Sequence, residues 1–136
     1  MSDVLVDTNV IFDILTEDKR WRTWSSAALE KAANGGRLVI NPIIYGELCV
    51  GFDTIEEADE VLPSSVFSRE AVPYNAAFLA AKAYTAYRRQ SGARTSLLPD
   101  FYIGAHAAVC GYRLLTRDVA RYRTYFPKVS LIAPDN

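Results

Sequence analysis

The stretch Val4-Leu5-Val6-Asp7-Thr8-Asn9 decides the fold of this chain. Its three apolar residues predict a short buried strand, and residues 9–15 then take the apolar spacing of a helix. A strand that leads directly into a helix is typical of an α/β domain with a parallel sheet, where ligands bind just beyond the carboxyl ends of the strands. Asp7 stands at such an end. We therefore expect its carboxylate at the edge of the sheet, facing a ligand.

The remaining sequence continues this alternation of strands and helices. The length of 136 residues indicates one domain over residues 1–136, and the alternation indicates a mostly parallel central sheet joined by right-handed crossovers. Asn41 and Pro42 have the residue types of an N-cap and a first helical position. Strands are predicted over residues 3–6, 38–40, 68–72, 113–116 and 129–132, and helices over residues 9–15, 20–34, 42–50, 54–61, 75–90, 99–110 and 119–125.

Composition favours a cytoplasmic protein. The two cysteines, Cys49 and Cys110, form no C-x-x-C pair, and isolated cysteines are usually reduced, buried thiols. No apolar run approaches the roughly 18 residues of a membrane span, and the first residues show no pattern of a signal peptide. We therefore expect neither secretion nor membrane insertion.

The charge distribution is more informative than the net charge of −1. Up to Ala81 the chain has 6 Lys/Arg and 13 Asp/Glu, whereas from Lys82 onward it has 9 and 3. Such asymmetry fits a basic face that binds a polyanion. On charge alone, solvated helix faces are the favoured interpretation.

Three further carboxylates are candidates for the edge that holds Asp7. Glu47 lies in an otherwise apolar predicted helix, Asp100 begins another, and Asp118 follows the fourth strand. Each has an ordinary alternative, namely a polar helix stripe for Glu47, a first-turn acid for Asp100 and an N-cap for Asp118. As a set of oxygen ligands at one edge, the four acids indicate a site for Mg²⁺ or Mn²⁺.

The order of these motifs resembles that of PIN-domain ribonucleases, and the length and spacing are most similar to VapC toxins of bacterial toxin–antitoxin pairs. The resemblance covers essentially the whole chain, although residues 51–74 follow no family pattern. It implies a PIN-like three-layer fold, Mg²⁺- or Mn²⁺-dependent cleavage of RNA, a homodimer and inhibition by a VapB-like antitoxin. The matching stretches are Asp7-Thr8-Asn9, Glu47, Asp100-Phe101-Tyr102-Ile103-Gly104-Ala105-His106-Ala107 and Leu115-Thr116-Arg117-Asp118.

By position, Asp7, Glu47, Asp100 and Asp118 take the places of the family's acidic quartet, with Thr116 as the small polar residue beside them. We expect Asp7 and Asp100 as direct metal ligands, and Glu47 and Asp118 as further ligands or as acceptors that orient water. The expected reaction is hydrolysis by a metal-activated water that leaves a 5′-phosphate and a 3′-hydroxyl. The sequence leaves open whether one or two ions bind.

The basic residues near the end of the chain are candidates for RNA contacts, as are those around the loop before Asp100. Aromatic side chains between them have the chemistry to stack on an unpaired base. The main candidates are Arg113, Arg117 and Arg121, followed by Arg123, Lys128, Tyr122, Tyr125, Arg88, Arg89 and Arg94.

Other conspicuous residues have simpler interpretations. Trp21 and Trp24 lie on one helix face, as core residues or, by the resemblance, as part of the antitoxin groove. Tyr84 and Tyr87 are candidates for core or for a dimer interface. His106 is six positions after Asp100 and so faces away from the metal, as a packed or surface imidazole.

Three alternative functions remain at this stage. The first is a PIN-domain nuclease that processes RNA and has no antitoxin. The second is a receiver-like phosphoacceptor, disfavoured because the chain lacks an acidic pair after the first strand and a lysine after a late strand. The third is an inactive binding module, disfavoured because all four acids are present.

Overall fold

The central element is a five-stranded sheet in which every strand is parallel to its neighbours. The structure, a computed structural model, describes residues 3–90 and 98–134, and within them seven helices flank the sheet. The elements are β1 (Val4–Val6), α1 (Thr8–Leu15), α2 (Arg22–Gly35), β2 (Leu38–Ile40), α3 (Pro42–Cys49), α4 (Ile55–Val61), β3 (Phe67–Arg69), α5 (Tyr74–Gln90), α6 (Leu98–Cys110), β4 (Arg113–Leu115), α7 (Val119–Tyr125) and β5 (Leu131–Ile132). The predicted α/β class is confirmed.

The order of the strands, β3-β2-β1-β4-β5, makes β1 the middle of the sheet. Along the chain, β2 and β3 are added on one side of β1, and β4 and β5 are then added on its other side. Such a reversal places helices on both faces of a parallel sheet and opens a crevice where the direction changes. Here the crevice lies beyond the carboxyl ends of β1 and β4, where the amide of Asp7 donates a hydrogen bond to the carbonyl of Leu115 (2.9 Å).

Helix boundaries follow side-chain caps that the sequence predicts. Asn41 accepts a hydrogen bond from the amide of Ile44, and Pro42 occupies the first turn of α3, as expected. Thr54 caps α4 in the same way, through the amide of Glu57.

Two strands, β3 and β5, differ from the prediction by more than one residue at one end. β3 spans Phe67–Arg69 rather than residues 68–72, because pairing with β2 ends where the amide of Glu70 bonds the carbonyl of Ile40. β5 contains only Leu131–Ile132 of the predicted residues 129–132.

The core surrounds β1, whose three residues are fully buried. Burying each such Val or Leu contributes roughly 1.5–3 kcal/mol. Gly104 brings α6 close to the chain that follows α7, since a Cβ built at Gly104 would lie 2.5 Å from the ring of Phe126.

Within the described ranges no helix has the length and apolar character that crossing a membrane requires. Cys49 is half-buried and Cys110 is exposed, so the expectation that both thiols are buried is wrong for Cys110.

Candidate active site

Asp7 is a buried carboxylate with several hydrogen-bond donors. Its Oδ2 accepts from the hydroxyls of Thr116 (2.8 Å) and Tyr122 (3.0 Å), while Oδ1 accepts from the amide of Thr8 (2.8 Å) and so caps α1. Only 4% of Asp7 is exposed. Burial raises its pKa to about 6, although these donors and the nearby guanidinium of Arg121 act in the opposite direction.

Glu47 is joined to Asp7 through Thr8. The hydroxyl of Thr8 donates to Oε1 of Glu47 at 2.5 Å, while the amide of Thr8 bonds Asp7. Glu47 faces solvent on α3, so its carboxylate is accessible from outside. Asn9, one residue further along α1, donates weakly to Asp7 and to Thr116, both at 3.4 Å. Thr8 and Asn9 therefore form the start of α1 and also hydrogen-bond to the expected site residues Asp7, Glu47 and Thr116.

Asp100 and Asp118 are joined by one arginine. The guanidinium of Arg121 lies 3.6 Å from Oδ1 of Asp100 and 3.0 Å from Oδ2 of Asp118. Asp100 is in the first turn of α6, and Asp118 precedes α7. The side chain of Asp118 makes no N-cap hydrogen bond, so the simpler alternative to a site role is absent for this residue.

Thr116 completes the arrangement. It is fully buried, donates to Asp7 and accepts from the amide of Asp118 (2.9 Å), which ties the turn after β4 to the end of β1. The structure thus joins Asp7 to Asp118 through Thr116, and Asp118 to Asp100 through Arg121. Glu47 is connected to them through Thr8.

The chemistry of these donors suits a hard divalent cation, because every candidate ligand atom is a carboxylate or hydroxyl oxygen. A cationic group, the guanidinium of Arg121, already lies between two of the acids, Asp100 and Asp118. Among residues 3–90 and 98–134, no three acidic, histidine or cysteine side chains are close enough together to hold a metal ion as they stand. Ligation would therefore require the acids to move toward one another.

A family model described as the PIN domain matches residues 4–127. The chain belongs to the PIN domain family. Members of this family are generally nucleases. No curated protein sequence matches the chain significantly.

Solved structures share this PIN fold over nearly their whole length. VapBC2 from Rickettsia felis, bound to a DNA fragment from its promoter, has a TM-score of 0.73 at 19% identity, covering 98% of this chain and 99% of that one. A toxin–antitoxin complex from Klebsiella pneumoniae has a TM-score of 0.72 at 22% identity, covering 98% of each chain. VapBC-1 from nontypeable Haemophilus influenzae has a TM-score of 0.72 at 17% identity, covering 96% and 97%. At these identities the likeness establishes the fold.

Arg117 of this PIN domain has a structural partner that the sequence analysis did not anticipate. Its guanidinium makes two hydrogen bonds to Asp13, at 2.6 and 2.8 Å, and lies over the ring of Trp21. Asp13 is 1% exposed and also accepts from the hydroxyl of Ser25 (2.7 Å). The amide of Arg117 bonds Asn9 (3.2 Å). Arg117 therefore holds the turn between Thr116 and Asp118 against α1 and α2.

Arg113 does not lie beside the carboxylates. It begins β4 in register with Val4, at the amino end of the sheet, and lines a cavity of about 500 Å³ beside α2. The expected stacking of Tyr122 on RNA is wrong, since this side chain is fully buried against Asp7. Tyr125 packs between Tyr87 and Phe101.

His106 is packed away from the acids, as expected. It is fully buried, with Nδ1 3.0 Å from the side-chain amide of Asn41 and Nε2 3.7 Å from Glu70. Burial lowers the pKa of His106, an effect that Glu70 partly offsets. The predicted loop at residues 91–96, with Arg94, lies outside the described residues.

Asp13 was missed from the sequence, and the contacts of Arg121 and Tyr122 with the candidate acids were not anticipated, although both residues were candidates for RNA contacts. Asp13 is an acid in the apolar helix α1, which is the same signal that identified Glu47. The i,i+3 spacing of Asp118 and Arg121 predicts their ion pair. Nothing in the sequence distinguishes Tyr122, a buried donor to Asp7, from other tyrosines of the chain.

Proposed function

We propose that this PIN domain is an endoribonuclease toxin that hydrolyses RNA with the help of Mg²⁺ or Mn²⁺ and is inhibited by a VapB-like antitoxin. The observation that supports it most directly is the network at the point where the strand order reverses: Arg121 joins Asp100 to Asp118, and Thr116 joins Asp118 to Asp7. Family membership supports the nuclease activity, and the toxin–antitoxin complexes among the structural neighbours support the toxin role.

In this proposal, Asp7 and Asp100 would hold the ion, with Asp118 and Glu47 as further ligands or acceptors. When bound, the ion would supply Lewis-acid activation of water and neutralise negative charge on the phosphate. The donors Thr116 and Tyr122 hold the Asp7 carboxylate in one orientation. Glu47 faces solvent and so has an oxygen available to accept a proton at the mouth of the site.

The RNA substrate is proposed from the exposed basic residues of the second half of the chain. Since Arg117 is bonded to Asp13 and Arg121 to two acids, phosphate contacts fall first to basic side chains that face solvent. These are Arg88 and Arg89 at the end of α5, Arg123 on α7, and Lys128.

Partner surfaces are proposed from exposed apolar side chains. Phe12 and Leu15 on α1 are 54% and 40% exposed, next to the Trp21 region, and would be covered by the antitoxin. Tyr74 and Phe78 on α5 are 96% and 68% exposed, and would form the homodimer contact.

Cleavage of RNA in Mg²⁺ or Mn²⁺ by the purified protein tests the activity. We expect EDTA to abolish cleavage and Asp100→Asn to lower it by more than about a hundredfold, since residues that only support metal ligands are already worth about 10–100-fold. The control is Asp53→Asn, which removes an exposed carboxylate beside α4. Full cleavage by Asp100→Asn, or cleavage in EDTA, would contradict the metal mechanism.

Growth assays test the toxin role separately. We expect expression of the chain to arrest growth, and co-expression of its VapB-like partner to restore it. An active nuclease whose expression leaves growth unaffected would favour an RNA-processing role.

A further inference from the structure

The guanidinium of Arg121 lies between two of the candidate acids, Asp100 and Asp118. It reaches Asp118 across one turn, with a 3.0 Å contact, and Asp100 from a different helix, with a 3.6 Å contact. About 22% of the arginine and of Asp100 is exposed. Oppositely charged groups at these distances, partly shielded from water, interact much more strongly than exposed ion pairs.

Arg121 thus contacts two of the four predicted ligands, Asp100 and Asp118. Thr116 links this pair to Asp7, because its hydroxyl donates to Asp7 and accepts from the amide of Asp118. Arg121 neutralises part of the repulsion that would otherwise separate the carboxylates of Asp100 and Asp118.

We propose that Arg121 is the internal counter-ion of the acidic centre, and that a divalent ion binds only when Arg121 leaves Asp100. This inference rests on the proposed metal-dependent function. An oxygen that contacts Mg²⁺ lies about 2.1 Å from the ion and cannot simultaneously face a guanidinium along the same direction. Placing both cations among the same acids also adds like-charge repulsion. Arginine and metal therefore compete for one set of oxygens.

The ion pairs that Arg121 makes with Asp100 and with Asp118 differ in length, which gives the exchange an order. The longer contact, to Asp100, crosses from α7 to α6, whereas the shorter one, to Asp118, stays at the start of α7. Arg121 can leave Asp100 and keep Asp118. Asp100 then becomes a direct metal ligand, and Asp118 remains an acceptor held by the arginine.

Mn²⁺ binding to the purified full chain, measured by the electron paramagnetic resonance of free Mn²⁺, tests the competition without any substrate. We expect Arg121→Gln to bind Mn²⁺ about tenfold more tightly than the wild type, the change that about 1.4 kcal/mol produces. The matched control, Arg123→Gln, removes the same charge from an exposed position on the same helix and should leave Mn²⁺ affinity unchanged. Equal or weaker binding by Arg121→Gln overturns the proposal.

A second measurement uses the wild type, so the proposal stays testable if Arg121→Gln does not fold. Nuclear magnetic resonance of arginine Nε–H groups should show the Arg121 signal moving when Mg²⁺ is added, while the Arg123 signal stays in place. An Arg121 signal that does not move while Mg²⁺ binds overturns the proposal.

The outcomes separate this inference from the proposed function. Tighter Mn²⁺ binding by Arg121→Gln together with no RNA cleavage would support the competition and contradict the nuclease activity. Metal-dependent RNA cleavage with unchanged Mn²⁺ affinity in Arg121→Gln would support the nuclease activity and contradict the competition.

Discussion

Replacing Asp7 by asparagine should stabilise the metal-free protein at neutral pH. Asp7 is 4% exposed, and burial raises its pKa to about 6 from the usual 3.8. The folded protein therefore holds a proton on Asp7 more tightly than the unfolded chain does. Between about pH 4 and pH 6 the free energy of unfolding falls as pH rises, because folding then requires an ionised buried carboxylate.

The size of the expected change in the free energy of unfolding follows from the raised pKa of Asp7. A difference of about 2 pKa units corresponds to about 3 kcal/mol, of which roughly 1 kcal/mol is lost between pH 5 and pH 7. Asn at position 7 can keep an oxygen toward Thr116 and Tyr122 but then presents its amide to the amide of Thr8. Losing that cap costs about 1 kcal/mol. The expected net gain at pH 7 is about 2 kcal/mol.

Urea unfolding in EDTA at pH 5 and pH 7 measures this effect for the wild type and for Asp7→Asn. Other titrating groups are common to both proteins, so the change in their stability difference with pH isolates Asp7. Asp53→Asn controls for the loss of one negative charge at an exposed position. If the wild type and Asp7→Asn respond in parallel to the change from pH 5 to pH 7, the assigned cost of the buried charge is refuted.

Two further changes test the packing around the site by urea unfolding. Asp13→Ala should cost about 3 kcal/mol, since it leaves Arg117 partly buried without its carboxylate; a loss below about 1 kcal/mol would contradict this role. Gly104→Ala should cost about 1–3 kcal/mol through its collision with Phe126, whereas the control Gly46→Ala, which meets nothing within 4 Å on α3, should be neutral or slightly stabilising. Equal effects of the two glycine substitutions would show that the chain after α7 moves aside without cost.

Local sequence signals predicted most of the fold because they act over a few residues. The apolar run of β1, and the Asn41-Pro42 start of α3, both specify elements through neighbouring side chains and backbone groups. The ends of β3 and β5 were less well predicted. They depend on which residues of a neighbouring strand remain available for pairing, as Ile40 is for Glu70.

The sequence singles out the candidate acids of the site, but it shows less about the partners of the basic residues. Strand ends and apolar helices select Asp7, Glu47, Asp100 and Asp118, since a carboxylate in such a place needs a partner. The sequence shows that basic residues are present but not which acid each one meets. Arg117 bonds an acid 104 positions earlier in the chain, and a contact of that kind exists only once the sheet has formed.

During translation β1 is synthesised early, whereas β4, its second neighbour in the sheet, is synthesised late. Asp7 and Thr116 are 109 positions apart, and until β4 emerges one edge of the central strand has no partner. Contacts of such long separation form slowly, after most of the chain is available. A nascent or truncated chain that ends before β4 therefore has Asp7 without Thr116, Tyr122 or Asp118. Synthesis itself keeps the acidic centre unassembled until the last part of the domain has left the ribosome.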